Sequence, residues 1–218
     1  MYWIAFGDIH ESTSVLGSIP GLSQAEGVIV TGDITNRGTR ESIDRVVKSV
    51  TEINSKILAV PGNMDTNVVQ NYLRERDMDI HLRVRELTPG VGLMGVGFSA
   101  PTPFGTPSEV PDATIGTWLD ETFATTGKFD KLVVVVHEPP YGTAVDMLGD
   151  GTHVGSPAVL AFIERVQPDI VLTGHIHESR AMDMIGQTPV FNSGMLAGGG
   201  FVRMEFQGGE LTAELMSV

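Results

Sequence analysis

"MYWIAFGDIH", residues 1–10, is an apolar run followed at once by two side chains that can hold a proton or a cation. Tyr2 to Phe6 suit a strand covered on both faces, and Asp8 and His10 stand where such a strand must end. The pattern recurs. "GVIV" (27–30) precedes Asp33, "KILAV" (56–60) precedes Asn63 and Asp65, "LVVVV" (132–136) precedes His137, and "DIVL" (169–172) precedes His175 and His177. Every strand predicted to be parallel therefore ends in a metal-competent side chain.

Helical spacing fills several of the gaps. "TRESIDRVVKSVTEI" (39–53) sets Ile43, Val46, Val47, Val50 and Ile53 on one face, and "SPAVLAFIERVQ" (156–167) begins with a Ser cap and a Pro in the first turn. Strand, loop, helix, strand is the rhythm of an α/β domain with a largely parallel sheet. "GVGLMGVGFS" (90–99) alternates small and apolar residues, and "FVRMEFQGGELTAELMS" (201–217) turns at Gly208-Gly209 as a hairpin. Those two stretches predict antiparallel strands flanking the parallel part, in a mixed sheet or a second sheet. "PTPFGTPSEVPD" (101–112) is expected to be a passive surface connection, and "AGGG" (197–200) an ordinary turn.

Composition narrows the function. At 218 residues the chain is expected to form a single domain, 1–218. Its 27 acidic against 14 basic residues give a formal charge of -13, which repels polyanions, so duplex nucleic acid is not an expected partner. No cysteine is present, which leaves metal binding to His, Asp, Glu and Asn. The first ten residues lack the basic stretch and cleavage site of a signal, and no apolar run approaches the ~20 residues that span a bilayer. A soluble, cytoplasmic protein with no membrane partner is expected. Nothing in the sequence sets an oligomeric state.

In an open α/β sheet, ligands bind outside the carboxyl ends of the strands, so these loops should converge. Two carboxylates and four imidazoles buried together without a cation would cost several kcal/mol. In "GHIH" (174–177), extended alternation would aim both imidazoles at one site, with Gly174 allowing close backbone approach. Asp8, His10, Asp33, Asn63, His137, His175 and His177 are too many donors for one ion with an open position, and they suit two. Nitrogen and oxygen without sulfur favours Mn, Fe or Zn over Mg. Two such ions can share a hydroxide and place it in line with a phosphorus. The expected partner is then a small phosphorylated substrate.

In order and in position, Asp8-Ile9-His10, Gly32-Asp33 with Gly38, Gly62-Asn63, His137 and Gly174-His175-Ile176-His177 resemble the five motifs of the calcineurin-like metallophosphoesterases, from residue 4 to about 194. The resemblance implies a fold of two mixed β-sheets packed as a sandwich and flanked by helices. It implies that Asp8, His10 and His177 hold one divalent metal, that Asn63, His137 and His175 hold the other, and that Asp33 bridges both. The activity implied is metal-dependent hydrolysis of a phosphomonoester or phosphodiester. "GDITNRG" (32–38) is similar to the phosphatase branch, which makes Arg37 a candidate phosphate contact. One position departs from the pattern. Where most members carry a His paired with the following Asp, this chain has Met64 before Asp65. Loss of a general acid costs ~10²–10⁴-fold in rate. Either the substrates have leaving groups that need little protonation, or another residue substitutes. His153, in the Gly-rich "GDGTHVGS" (149–156), is the candidate replacement for acid catalysis and substrate binding. Glu178 is expected to orient one of the paired histidines, and His81 to be structural. A competing reading is a non-catalytic metal-binding or scaffold protein on the same fold that lost its acid at Met64. A nucleotide-binding α/β domain is disfavoured, since neither a GxGxxG nor a P-loop is present.

Overall fold

A computed structural model describes residues 1–127 and 129–218. The first sheet has the order β11-β10-β1-β2-β3, with β1 Tyr2–Phe6, β2 Val28–Val30, β3 Ile57–Ala59, β10 Gly200–Gln207 and β11 Glu210–Ser217. The second has the order β4-β5-β6-β7-β9-β8, with β4 Arg83–Thr88, β5 Val91–Val96, β6 Lys131–Val136, β7 Ile170–Thr173, β8 Ala181–Ile185 and β9 Thr188–Asn192. Both sheets are mixed. β1, β2 and β3 run parallel, as do β5, β6, β7 and β9, while antiparallel strands occupy the margins.

The two-residue period of a strand explains the layering. In β1, Ile4 and Phe6 pack with Ile43, Val46 and Val50 of α1 (Arg40–Thr51) and with Val69 and Leu73 of α2 (Asn67–Glu75). Trp3 and Ala5, on the opposite face, pack against Leu93, Val133, Val135 and Leu172 of the second sheet. The outer face of that sheet, including Met94, Val134 and Val136, is covered by Ile115 and Leu119 of α3 (Asp112–Phe123) and by Val159, Phe162 and Ile163 of α4 (Pro157–Val166). Helices, sheet, sheet, helices is therefore the order of layers. At ~1.5–3 kcal/mol for each large aliphatic side chain removed from water, these three apolar layers lock the two sheets face to face.

The expected strands and helices are present, with ends shifted by a residue or two. Thr39 caps α1 by accepting from the Ser42 amide at 3.3 Å, and Ser156 caps α4 by accepting from the Val159 amide at 2.9 Å. The hairpin turns at Gly208 and Gly209, both with positive φ (63° and 87°), as a two-residue turn between Gln207 and Glu210 requires. The reading of 90–99 needs correction. β5 pairs antiparallel with β4 but parallel with β6, and all six of its residues are buried. Its small residues mark close packing, since a Cβ on Gly95 would lie 2.6 Å from the Ile80 carbonyl oxygen. No helix among the described residues is long and apolar enough to cross a membrane.

Candidate metal centre

The loops after β1, β2 and β3 of one sheet meet those after β6 and β7 of the other. Their donors form two groups. Ligand atoms of Asp8, His10, Asp33 and His177 lie within 4.8 Å of one another, and so do those of Asp33, His137 and His175. Asp33 belongs to both. Its Oδ2 is 3.6 Å from His10 Nε2 and its Oδ1 is 3.6 Å from His137 Nε2. Asn63 completes the second group, with Oδ1 3.0 Å from His137 Nε2 and 2.8 Å from His175 Nδ1. In the first group His177 Nε2 lies 3.3 Å from Asp8 Oδ1 and 2.9 Å from His10 Nε2.

Hydrogen-bond polarity shows which atoms carry lone pairs. His137 Nδ1 sits 2.8 Å from the Thr31 carbonyl oxygen, which can only accept, so Nδ1 donates and Nε2 is left with a lone pair aimed at Asn63 Oδ1. The same logic fixes His10. Asn36 Nδ2 donates to the His10 carbonyl, so Asn36 Oδ1 accepts from His10 Nδ1 at 2.9 Å and His10 Nε2 faces inward bare. The Asn63 amide is set by a relay. Burial works against ionising Glu109, but donors from Thr102 and Thr106 prevail and hold its pKa at about 2. The Thr106 hydroxyl must therefore donate to Glu109 Oε1 (2.6 Å) and accept from Asn63 Nδ2 (2.9 Å), which turns Asn63 Oδ1 toward the imidazoles. Between His137 Nε2 and Asn63 Oδ1 a lone pair thus meets a lone pair with no proton between them, an arrangement that a cation stabilises.

Electrostatics agree. Asp33 is held well above the ordinary carboxylate pKa by burial, then by Asp8 and Asp65 nearby. Burial likewise lowers His137, and burial together with neighbouring imidazoles lowers His175 to about 3. These buried imidazoles are neutral at physiological pH, the form in which an imidazole can hold a metal. Burial alone would raise Asp8, but the His177 hydrogen bond and the surrounding imidazoles lower it, and that bond raises His177 in turn. Strained backbone presents these groups. Asp8, His10, Asp33 and His175 all adopt positive φ (48°, 46°, 49° and 71°), a conformation that costs non-glycine residues ~1 kcal/mol or more each and persists where the surroundings enforce it. Gly62 leaves the room needed, because a Cβ there would fall 2.1 Å from Asp33 Oδ1.

Several sequence expectations change. Asp65 is fully buried and does not face the cleft. Its two oxygens accept from the amides of Gly62, Ile34 and Thr35 and from the Thr35 hydroxyl, so it clamps the second and third loops together. The structure places His153 outside the lining of the cleft. Its Nδ1 lies 2.7 Å from Asp146 Oδ1, and its ring packs edge-on to Tyr141. The α4 N-terminus behind it is already capped by Ser156 and by Asp112, which accepts from the Ala158 amide. Glu178 accepts from the Gly149 amide and not from an imidazole. The acidic neighbour of His175 is Glu138, 3.9 Å from its Nε2 and pushed up to about 8 by burial. The "GHIH" segment is not extended, because the Ile176 amide folds back on the Gly174 carbonyl and His175 is left-handed. Its imidazoles consequently serve different groups. Arg37 does line the cleft, with Nη2 bonded to the Gly105 carbonyl. The 101–112 loop is not passive, since Pro101 to Phe104 and Thr106 form cleft wall and the Ser108 amide is bonded to the Asn63 carbonyl. His81 is structural as expected, accepting from the Gly97 amide and stacked on Phe98. Sequence reasoning missed Glu138, Asn36 and the Glu109–Thr106 relay. Only the position of Glu138, directly after His137, offered a signal.

A family model described as calcineurin-like phosphoesterase matches residues 4–179. An uncharacterized protein of Methanocaldococcus jannaschii is 34% identical over 174 residues, covering 77% of each chain. Among solved structures, a protein of Thermus thermophilus superposes with a TM-score of 0.72 at 17% identity, over 98% of this chain and 97% of that one. A 5'-nucleotidase from Candida albicans superposes with a TM-score of 0.59 at 12% identity, over 99% of this chain and 51% of that one. Likeness at such identities concerns the fold.

Proposed function

The chain belongs to the calcineurin-like phosphoesterase family, and from that premise we propose that it is a dinuclear metal-dependent phosphoesterase that hydrolyses a phosphomonoester or phosphodiester. The observation that carries this reading is Asp33, a buried carboxylate whose two oxygens face two separate groups of inward-aimed donors. In the proposed centre Asp8, His10 and His177 would hold one divalent cation and Asn63, His137 and His175 the second, with Asp33 belonging to both groups. The nitrogen and oxygen donors fit Mn, Fe or Zn. Two such cations, when bound, supply Lewis acidity that polarises a phosphoryl group and makes a water nucleophilic at neutral pH.

The protein's own contribution is to fix these donors before substrate arrives. Thr31 and Asn36 set the tautomers of His137 and His10, the Glu109–Thr106 relay sets Asn63, and Asp65 ties the loops that carry Asp33 and Asn63. Arg37, at the cleft edge, supplies a guanidinium for a phosphoryl oxygen. Met64 lines the same cleft and can donate no proton to a departing group. Hydrolysis of a bis-aryl phosphodiester with Mn²⁺ is expected. Asp33→Asn and His137→Ala should each bring it to the background rate while the far-ultraviolet circular dichroism stays that of the parent. Parental activity in both variants would exclude the mechanism. The second reading, a non-catalytic scaffold, rests on Met64 alone. It requires that no phosphoester be turned over with Mn²⁺, Fe²⁺ or Zn²⁺.

A further inference from the structure

The cleft over the two donor groups has a volume of about 1110 Å³. Its floor is polar and much of its wall is apolar. Met64, Pro101, Phe104, Leu148, Val154 and Met195 all line it, drawn from four separate stretches of chain. Phe104, 81% exposed at the tip of the 101–112 loop, and Val154, 39% exposed, are left in water beside the metal centre. Apolar surface held open to solvent around a polar floor marks a place where a ligand brings apolar surface of its own.

Charge limits what else that ligand carries. Arg37 is the one arginine or lysine among the described residues that line the cleft, and Glu138 and Glu178 line it too. With a formal charge of -13 on the chain and Arg37 given to the phosphoryl group, a second phosphate outside the metal centre would find no further countercharge in the cleft lining. The chemistry at position 64 points the same way. A phenol ionises near pH ~10, so an aryloxide departs from phosphorus as a stable anion where an alkoxide needs a proton, and Met64 has none to give. In hydrolysis the water oxygen forms the new bond to phosphorus, the bond from phosphorus to the aryl oxygen breaks with its electron pair on that oxygen, and the water proton passes to solvent.

We infer that the substrate is a phosphoester with a single phosphoryl group that bears an aryl substituent, seated with phosphorus over the metal centre and its ring against Phe104 and Met64. The inference rests on the phosphoesterase reading, and its test separates the two. Binding of inorganic phosphate, methylphosphonate and phenylphosphonate to the manganese-loaded protein is measured by calorimetry. Partial burial of the ring, at ~25 cal/mol per Å², predicts that phenylphosphonate binds at least ~10-fold tighter than methylphosphonate. Phe104→Ala should cut that preference to ~3-fold or less and leave methylphosphonate binding unchanged. Equal affinity for the two phosphonates, or equal loss of both in the variant, would overturn the aryl subsite and leave the phosphoesterase reading standing. Failure of phosphate and of both phosphonates to bind would overturn both. An aryl preference without turnover of any aryl ester would overturn the substrate assignment and the enzyme together.

Discussion

Thr106 decides which end of the Asn63 amide faces the imidazoles. Its hydroxyl is committed as a donor to Glu109, so it presents a lone pair to Asn63 Nδ2 and the amide oxygen has to point inward. Thr106→Val keeps the shape, removes the acceptor and frees the amide to rotate. Groups that orient metal ligands are typically worth 10–100-fold in metal affinity. Manganese titration of Thr106→Val should therefore show one of two sites weakened by ~10–100-fold with the other unchanged, and Thr106→Ser should restore it. Two sites of parental affinity in the valine variant would reduce the relay to packing. At this scale the seven candidate donors were legible because each follows one of five strands within a few positions. The relay was hidden because Thr106 lies 43 residues from Asn63 and meets it only in the fold. The place of Asp65 was hidden for a similar reason. Its donors, the amides of Ile34 and Thr35, are some 30 residues away, and a carboxylate one position from the cleft is indistinguishable in sequence from one inside it.

At the scale of elements, helix starts were legible because capping is local. Ser156 accepts from the Val159 amide, Pro157 fills the first turn, and the Ser156 hydroxyl also meets Asp112 at the start of α3. Ser156→Ala removes the cap and the link between the two helix N-termini together. Loss of a Ser cap costs ~1 kcal/mol, so urea unfolding should show a loss of about 1–2 kcal/mol with manganese binding unaltered. No loss of stability would mean that the cap is redundant. Strand partners were less legible than strand positions. β5 was expected at an antiparallel margin, yet its uninterrupted burial is what an interior strand requires, and its glycines answer close neighbours such as Ile80. Alternation also misled in "GHIH", where left-handed His175 turns the chain tightly in place of an extended run.

At the scale of the whole molecule, the donor cluster is a seam. The first sheet delivers Asp8, His10, Asp33 and Asn63, and the second delivers His137, His175 and His177. Neither sheet alone holds a complete group, because Asp33 must meet His137 and His175 across the junction that Trp3, Ala5, Val133 and Leu172 pack shut. Apolar burial between the sheets thereby fixes the separation of the two donor groups. Crystals grown with manganese, with anomalous diffraction collected above and below the manganese absorption edge, test this most directly. Two peaks are predicted, one bounded by Asp8, His10 and His177, the other by Asn63, His137 and His175, each within bonding distance of an Asp33 oxygen. A single peak, or none, with these side chains in place would contradict a paired centre.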